Sequence, residues 1–371
     1  MASTVIASNT SAVYFQTQAT VGTPVAVGSI VAGDAIRVVG APKFSPRGAG
    51  IIERTDTMTP FGGGQAVVTG AHGWDITFQT ELFWDAATAG GTVPAMLNTQ
   101  LAALFRATPF AISGATPDFT LAAQANFATA PWVVATPARS PAYAVQPFTM
   151  FYVESSGKRY AAFDCICIPK FSAEYGQRVM IDWTVKGKWI DPDAYNDTAT
   201  IAAPTYPAAQ PPIVAVNCAL TLAGYFDSVT ALTKWTFDPG FALSDVGDSR
   251  EANGFGIGFS TLATYPSLEV DVADLPEGPS VAGSPAAATG EQPDWTKALS
   301  NEVFGSALTL AITVGTGDTI TFSLANPQVI AWPAVGDTDG HRSLTLKFGA
   351  IPNATTPSPA TIAFDATIPP S

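Results

Sequence analysis

The chain has 371 residues, of which 47% are hydrophobic and only 13% are charged, with a formal net charge of −13. A protein that binds duplex nucleic acid needs a basic surface to displace counterions from phosphates, so this acidic balance excludes that class. The sequence also has no apolar run of about 18 residues and no signal-peptide pattern, which predicts no membrane segment. Three cysteines do not make a disulfide framework, so we expect synthesis in a reducing cytoplasm.

Glycine and proline punctuate the chain throughout, with 32 and 30 residues respectively. This punctuation favours many short strands joined by turns over a helical protein. A soluble monomer normally covers itself with more charge than this chain carries. We therefore expect much of the exterior to be buried against other subunits.

Alternation of apolar and polar residues with a period of two is the strongest local signal. The first strand predicted in this way covers residues 74–82, with Trp74, Ile76 and Phe78 on one face and Asp75 and Thr77 on the other. Such alternation is typical of antiparallel sheets with one solvated face. The same pattern predicts strands at residues 179–185, 214–222, 308–314, 320–324 and 344–348, with a hairpin turn at 316–318.

Only two segments have helical periodicity. Residues 94–106 place Leu97, Leu101 and Leu104 on one face, with Pro94 in the first turn. Residues 294–304 form a shorter candidate, with Asp294 as the N-cap. The rest of the chain is predicted to be strand, turn and loop.

The order of these elements indicates an internal duplication. A strand, a helix and a hairpin ending near Trp189 are followed by a second strand, a second helix and strands ending near Phe348. The segment between them is rich in Ala, Thr and Pro and reads as a linker. We therefore predict an N-terminal domain at residues 1–200 that includes an N-terminal arm and a long loop, a linker at 201–212 and a C-terminal domain at 213–371 with a Pro/Thr-rich tail. The tail from residue 353 is interpreted as an arm, or as one edge strand through Ile362, Phe364 and Ile368.

No constellation of residues predicts catalysis or metal binding. His72 and His341 each lie in a Gly-rich turn without a nucleophile elbow. Cys165 and Cys167 lack metal-site spacing and are interpreted as small buried hydrophobic residues. The Asp-rich turns at 191–193 and 337–340 resemble fragments of calcium loops without the later carboxylate, and no helix follows the glycine clusters at 62–64 and 254–258. We expect no catalytic, cofactor-binding or metal-binding residues and no enzyme activity.

The segment from residue 42 to residue 82 carries a resemblance to a known family. A strand ending near Val39 precedes a polar, Gly-rich loop at 42–70, the strand at 74–82, a helix, and a hairpin that closes with Lys186, Gly187, Lys188 and Trp189. This order resembles the tail tube (major tail) proteins of long-tailed bacteriophages. The resemblance implies a mainly β fold, with two tandem antiparallel β-sandwich or barrel domains that each have one flanking helix. It also implies a structural virion protein that polymerises into stacked rings, the conduit for genomic DNA.

The resemblance further implies which partners the chain has. These are copies of itself in a ring of three, with pseudo-sixfold symmetry, or of six; a tail terminator and tail tip proteins; and DNA passing non-specifically through the lumen. The chain would be made in the host cytoplasm and reside in the virion tail. The region up to about residue 30 and the loop at 42–70 are the candidates for contacts between rings. The acidity either repels DNA from the lumen or keeps free subunits soluble.

Two other classes of protein fit the same composition. One is another virion or surface-layer structural β protein, which would assemble into shells or sheets. The other is a carbohydrate-binding adhesin module, which would bind glycans as a monomer through exposed aromatic side chains.

Overall fold

The alternating segments of the sequence form antiparallel sheets that pack around a shared apolar core. A computed structural model describes residues 11–47, 51–52, 68–69, 73–82, 100–113, 119–123, 146–154, 159–190, 201, 203–206, 213–222, 232–247, 255–260, 265–273, 304, 306–314, 318–338, 341–350 and 359–365. The fold is mainly β, as the sequence predicts.

The first half of the chain contributes β1 (Ala12–Thr17), β2 (Ala35–Ile36), β3 (Val39–Arg47), β4 (Ile51–Ile52), β5 (Val68–Thr69), β6 (Gly73–Glu81), α1 (Gln100–Arg106), β7 (Phe110–Ser113), β8 (Phe119–Ala123), β9 (Phe148–Val153), β10 (Arg159–Glu174) and β11 (Met180–Trp189). The second half contributes β12 (Cys218–Thr221), β13 (Leu232–Asp238), β14 (Ala242–Gly247), β15 (Phe255–Ser260), β16 (Ser267–Ala273), β17 (Leu308–Val314), β18 (Asp318–Leu324), β19 (Pro327–Val329), β20 (Ala334–Thr338), β21 (His341–Ala350) and β22 (Ala360–Asp365). Two single 3₁₀ turns, Val27–Ser29 and Ala32–Asp34, lie between β1 and β2.

The larger sheet has twelve strands, and its main path runs β3-β6-β11-β10-β13-β16-β21-β19. Strand β20 pairs with β21, while β9 pairs with β10 and leads to β1 and β2. The smaller sheet has six strands in the order β12-β17-β18-β22-β8-β7. Two further pairs, β4–β5 and β14–β15, form two-stranded sheets of their own.

Both sheets are built from both halves of the chain. Strand β10 pairs with β13 in the larger sheet, and β22 pairs with β8 in the smaller one. Phe322 of β18 packs between these halves, with ring centroids 5.3 Å from Phe171 of β10 and 5.1 Å from Trp235 of β13. Residues of both predicted domains therefore share sheets and one buried core cluster.

The predicted linker packs against the first half where it is described. The amide of Thr205 donates a hydrogen bond to the carbonyl of Ala32, and Arg37 lies over the ring of Tyr206 at 5.6 Å. The chain then re-enters beside β11, because Ile213 bonds to Leu82 and Val179 through its backbone. The strand predicted at 214–222 is shorter than expected: β12 begins at Cys218, and Val214 makes only an isolated bridge.

Helix α1 covers the C-terminal half of the predicted helix at 94–106. Its buried Leu101, Leu104 and Phe105 pack on the inner face of the larger sheet, where Phe105 meets the ring of Trp183 at 5.4 Å. Residues 94–99 lie outside the described part of the chain. The second predicted helix, 294–304, also lies there except for Phe304, which is buried.

Two expectations about the first half are wrong. A strand was expected to end near Val39, but β3 begins there, and residues 42–47 belong to this strand rather than to a loop. The described residues between 11 and 30 are also no free arm. Strand β1 pairs with β9 along its whole length, and its Val13, Tyr14 and Phe15 are buried within this chain. Residues 1–10 and 53–67 lie outside the described part.

Residues 359–365 of the C-terminal segment form neither an arm nor an edge strand. Strand β22 lies inside the smaller sheet, between β18 and β8. Its Ile362 and Phe364 are buried because they face the core on a strand that is paired on both sides. Residue 368 lies outside the described part.

Candidate assembly surface

The residues singled out for chemistry form no site within the part of the chain that the structure describes. His341 is the first residue of β21 and pairs with Thr338, so it begins a strand rather than lying in the expected turn. His72 and residues 191–193 lie outside the described part, and Asp337 lies in β20. Within the described residues, no group of three or more His, Cys, Asp or Glu side chains is placed to hold a metal ion.

The two neighbouring cysteines are structural. Cys165 and Cys167 are fully buried in β10, and the thiol of Cys167 donates to the carbonyl of Leu104 at 3.1 Å. Burial raises the pKa of both thiols well above their usual value. Both thiols therefore stay protonated and unreactive at neutral pH.

A buried polar cluster, which the sequence did not reveal, fixes residues 18–23 to β10. Asp164 lies at a β-bulge with φ of +49°, and its carboxylate accepts hydrogen bonds from the side chain of Gln18 and the amide of Gly22. Lys188 forms an ion pair with the same carboxylate at 3.0 Å. Because both partners are almost fully buried, this pair positions residues 18–23 against β10.

An aromatic cluster closes one end of the first half. Trp74 stacks on Trp189 with ring centroids 4.8 Å apart, and Phe44 stacks on Tyr152 and Tyr160 at 5.6 and 5.5 Å. These rings come from five different strands and pack on one another. Trp74 and Tyr152 are buried, and the other three rings are half-buried and pack against the apolar core. The rings therefore stack on one another rather than form an open platform for sugars or bases.

The main path of the larger sheet has a free edge at each of its two ends among the described residues. At one end, β3 pairs only with β6, and its Val39, Lys43 and Ser45 are exposed. Pro42 and Pro46 lack amide donors, which limits the hydrogen bonds that another strand can form with this edge. The other end is formed by β19 and β20, which both pair with β21.

The β19–β20 edge carries an apolar patch, which we define as Tyr265, Ile330, Trp332 and Val335. Their exposed fractions are 59%, 40%, 76% and 58%. Tyr265 and Ile330 meet over Gly349, where a methyl group on Gly349 would lie 2.8 Å from Ile330 Cγ2 and 3.5 Å from Tyr265 Cβ. Exposed apolar side chains beside a free sheet edge are typical of a surface that binds another protein.

Between the two edges runs the polar face, formed by the side chains of β6, β11, β10, β13, β16 and β21 that alternate with the buried ones. Antiparallel register places lysines of this face opposite acids on neighbouring strands. The ion pairs are Lys186–Asp75 at 3.7 Å, Lys170–Asp238 at 3.8 Å, Lys234–Glu174 at 3.3 Å and Lys347–Glu269 at 3.6 Å. Each acid cancels a positive charge that would otherwise attract polyanions.

Arg47 of β3 is held at the margin of this face. Its guanidinium donates to the carbonyl of Gly187 at 3.2 Å and lies 3.9 Å from Asp75. Burial lowers the pKa of Arg47, and the charge of Asp75 opposes that shift. Asp75 therefore compensates cations on both of its neighbouring strands.

Neither a family model nor a curated protein matches the chain. No helix among the described residues is long and apolar enough to cross a membrane.

Proposed function

We propose that the chain is the structural subunit of a phage tail tube and assembles into rings that stack around a bore for DNA. The observation that carries this proposal is the strand order of the larger sheet. The order β3-β6-β11-β10 is followed by β13-β16-β21 and the β19–β20 edge. In each half, a hairpin supplies the last two positions: β10–β11 in the first half and β20–β21 in the second.

This order supports a direct duplication within a ring. In the order of the larger sheet, β10 is the last strand from the first half and β13 is the first strand from the second half, and the two pair antiparallel. A rotation that repeats this step brings the β19–β20 edge of one copy to β3 of the next. Head-to-tail contacts of this kind close into a ring, and we propose three copies with pseudo-sixfold symmetry.

The apolar patch supplies contact area that hydrogen bonds alone do not provide. Because Pro42 and Pro46 interrupt the donors of β3, a strand joined there forms an incomplete ladder. Burial of Trp332 and Ile330 against the β3 end of the next copy, near Val39, stabilises the contact through removal of apolar area from water.

The polar face then lines the bore. It is the continuous solvated side of the sheet, and its lysines are ion-paired. Passing DNA meets a wall with few uncompensated cations. The same proposal implies two further partners, a tail terminator and tail tip proteins. It also implies that the protein resides in the virion tail.

Negative-stain electron microscopy of the purified protein over a range of concentrations tests this function. Rings or stacked tubes with threefold averages are expected, whereas six copies per ring would contradict the duplication and dispersed monomers would contradict the function. The variant Trp332→Ser should abolish ring formation without unfolding. The matched control is Tyr175→Ser, which removes a 72% exposed aromatic residue from the β10–β11 turn and should leave rings intact.

The exposure of Trp332 and Tyr265 also favours a second candidate, a carbohydrate-binding module. A glycan-array screen of the monomer separates the two candidates. The module would be favoured if the wild-type protein forms no rings and binds a glycan, and if Trp332→Ser removes that binding. Assembly into shells or sheets would instead indicate another virion or surface-layer structural protein.

A further inference from the structure

The contact between the two halves of the chain includes a second component, formed by a long hairpin. Strands β13 and β16 pair with each other and are connected through the separate two-stranded sheet β14–β15. Strand β14 lies against β10, and β15 lies against β11. This extension therefore reaches from the second half onto the terminal hairpin of the first half.

The first half contains the same construction. Strands β3 and β6 pair with each other and are connected through the separate two-stranded sheet β4–β5. Among the described residues, however, β4 and β5 have only each other as substantial neighbours. Within the described part of the chain, nothing supports this extension as β10 and β11 support its counterpart.

We infer that β4–β5 packs on the β20–β21 hairpin of a neighbouring copy in the same ring, as β14–β15 packs on β10–β11 within one chain. The inference rests on the proposed function, because it needs the ring to repeat the contact between the halves. Strands β20 and β21 occupy the position in the second half that β10 and β11 occupy in the first. The same rotation that brings β3 to the β19–β20 edge also carries β4–β5 onto this hairpin.

This inference gives part of the segment at 42–70 a different role from the one expected from the sequence. A loop that contacts the next ring would link copies along the tube axis. A hairpin that contacts β20–β21 of the next copy links copies around the ring instead. Cross-links around a ring of three copies can join at most three copies. Cross-links between rings can join copies of many successive rings.

Disulfide cross-linking distinguishes them. Ile52→Cys in β4 is combined with Gly336→Cys in β20, and a second variant combines Ile52→Cys with Ala334→Cys, both in a Cys218→Ala background. Cys165 and Cys167 stay in place because they are buried. Assembled full-length protein is oxidised and separated on denaturing gels without reductant. The expected result is a ladder that stops at the trimer, with closed trimer accumulating.

The matched control replaces the β20 cysteine by Val21→Cys, an exposed position outside this hairpin, and should give no ladder. A ladder that continues beyond three copies would place β4–β5 between rings and overturn the inference. Absence of cross-links from both β20 positions, in protein that forms rings by electron microscopy, would also overturn it. Failure to form rings at all would instead defeat the proposed function together with this inference.

Discussion

Phe171 of β10 and Phe322 of β18 meet edge to face, with ring centroids 5.3 Å apart, although they belong to different halves of the chain and to different sheets. Both rings are fully buried, and Phe322 also contacts Trp235 and Phe237 of β13. The junction between the halves is therefore part of the apolar core rather than a polar interface between separate domains.

Phe322→Ala should lower the free energy of unfolding by about 3–5 kcal/mol, because a cavity opens where four aromatic rings meet. Urea denaturation followed by tryptophan fluorescence and circular dichroism measures the change. Since the core is shared, both probes should report one coincident transition in the wild type. Two separated transitions would mean that the halves unfold independently and would contradict the shared core. The control Phe322→Leu should lower the free energy of unfolding by less than Phe322→Ala does.

Gly187→Ala should lower the free energy of unfolding by about 1–3 kcal/mol. The added Cβ would lie 2.7 Å from the sulfur of Cys165 and 2.9 Å from the Cβ of Ala162. Adding Cys165→Ala to Gly187→Ala should recover part of this loss, which a double-mutant cycle by denaturant titration measures. Strictly additive effects would refute the contact. Gly28→Ala, where nothing lies within 4 Å, serves as the control and should change stability little.

Lys188→Met should destabilise the protein by about 3–5 kcal/mol, because it leaves the buried Asp164 carboxylate without its counter-charge. The double variant Asp164→Asn with Lys188→Met should recover much of this loss, since the amide keeps an acceptor for Gln18 and asparagine tolerates positive φ. Chemical denaturation checks both values. In the control Lys170→Met, the partner Asp238 stays 40% exposed, so the expected change is within about 1 kcal/mol. Equal effects at Lys188 and Lys170 would contradict the argument from burial.

The free energy of unfolding should fall as the pH rises above about 9. Burial raises the pKa of Cys218 to about 11 and raises those of Cys165 and Cys167 well above the ordinary value of 9.0. The thiols therefore lose their protons first in the unfolded chain, which favours unfolding once the pH exceeds the unfolded pKa. Denaturation midpoints at pH 7, 9 and 10.5 measure the effect, and Cys167→Ala should show a flatter dependence. A midpoint that is constant across this range would disprove the linkage.

Removing acids from the polar face should make the protein bind duplex DNA. The variant Glu174→Gln with Glu269→Gln releases Lys234 and Lys347 from their ion pairs. If both lysines then contact phosphates, the slope of log affinity against log salt should steepen by about 2 relative to wild type. Fluorescence anisotropy with a short duplex measures this slope.

The matched control for this experiment is Asp318→Asn with Asp365→Asn, which makes the same change in net charge on the smaller sheet. It should leave DNA binding weak. Equal binding by the two variants would show that net charge matters and that the cross-strand pairs do not.

Local alternation was sufficient to predict several strands. The pattern at Trp74, Ile76 and Phe78 predicts β6, and the pattern at Leu308, Leu310 and Ile312 predicts β17, because period-two burial is a local property of extended backbone. The same reasoning failed at residues 42–47. These residues were read as the start of a polar, Gly-rich loop, but they form part of β3, because a strand at the edge of a sheet tolerates the prolines Pro42 and Pro46.

The sequence by itself determined the mainly β character, the core-facing residues of the strongest strands and the burial of Cys165 and Cys167. Only the tertiary structure decided that β22 lies inside a sheet, that β10 joins β13, and that Lys188 meets Asp164. It also located the apolar patch and the ion pairs of the polar face. Each of these features joins residues that are distant along the chain. Side-chain periodicity reports which face of a strand is buried, whereas pairing between strands depends on packing that no local pattern records.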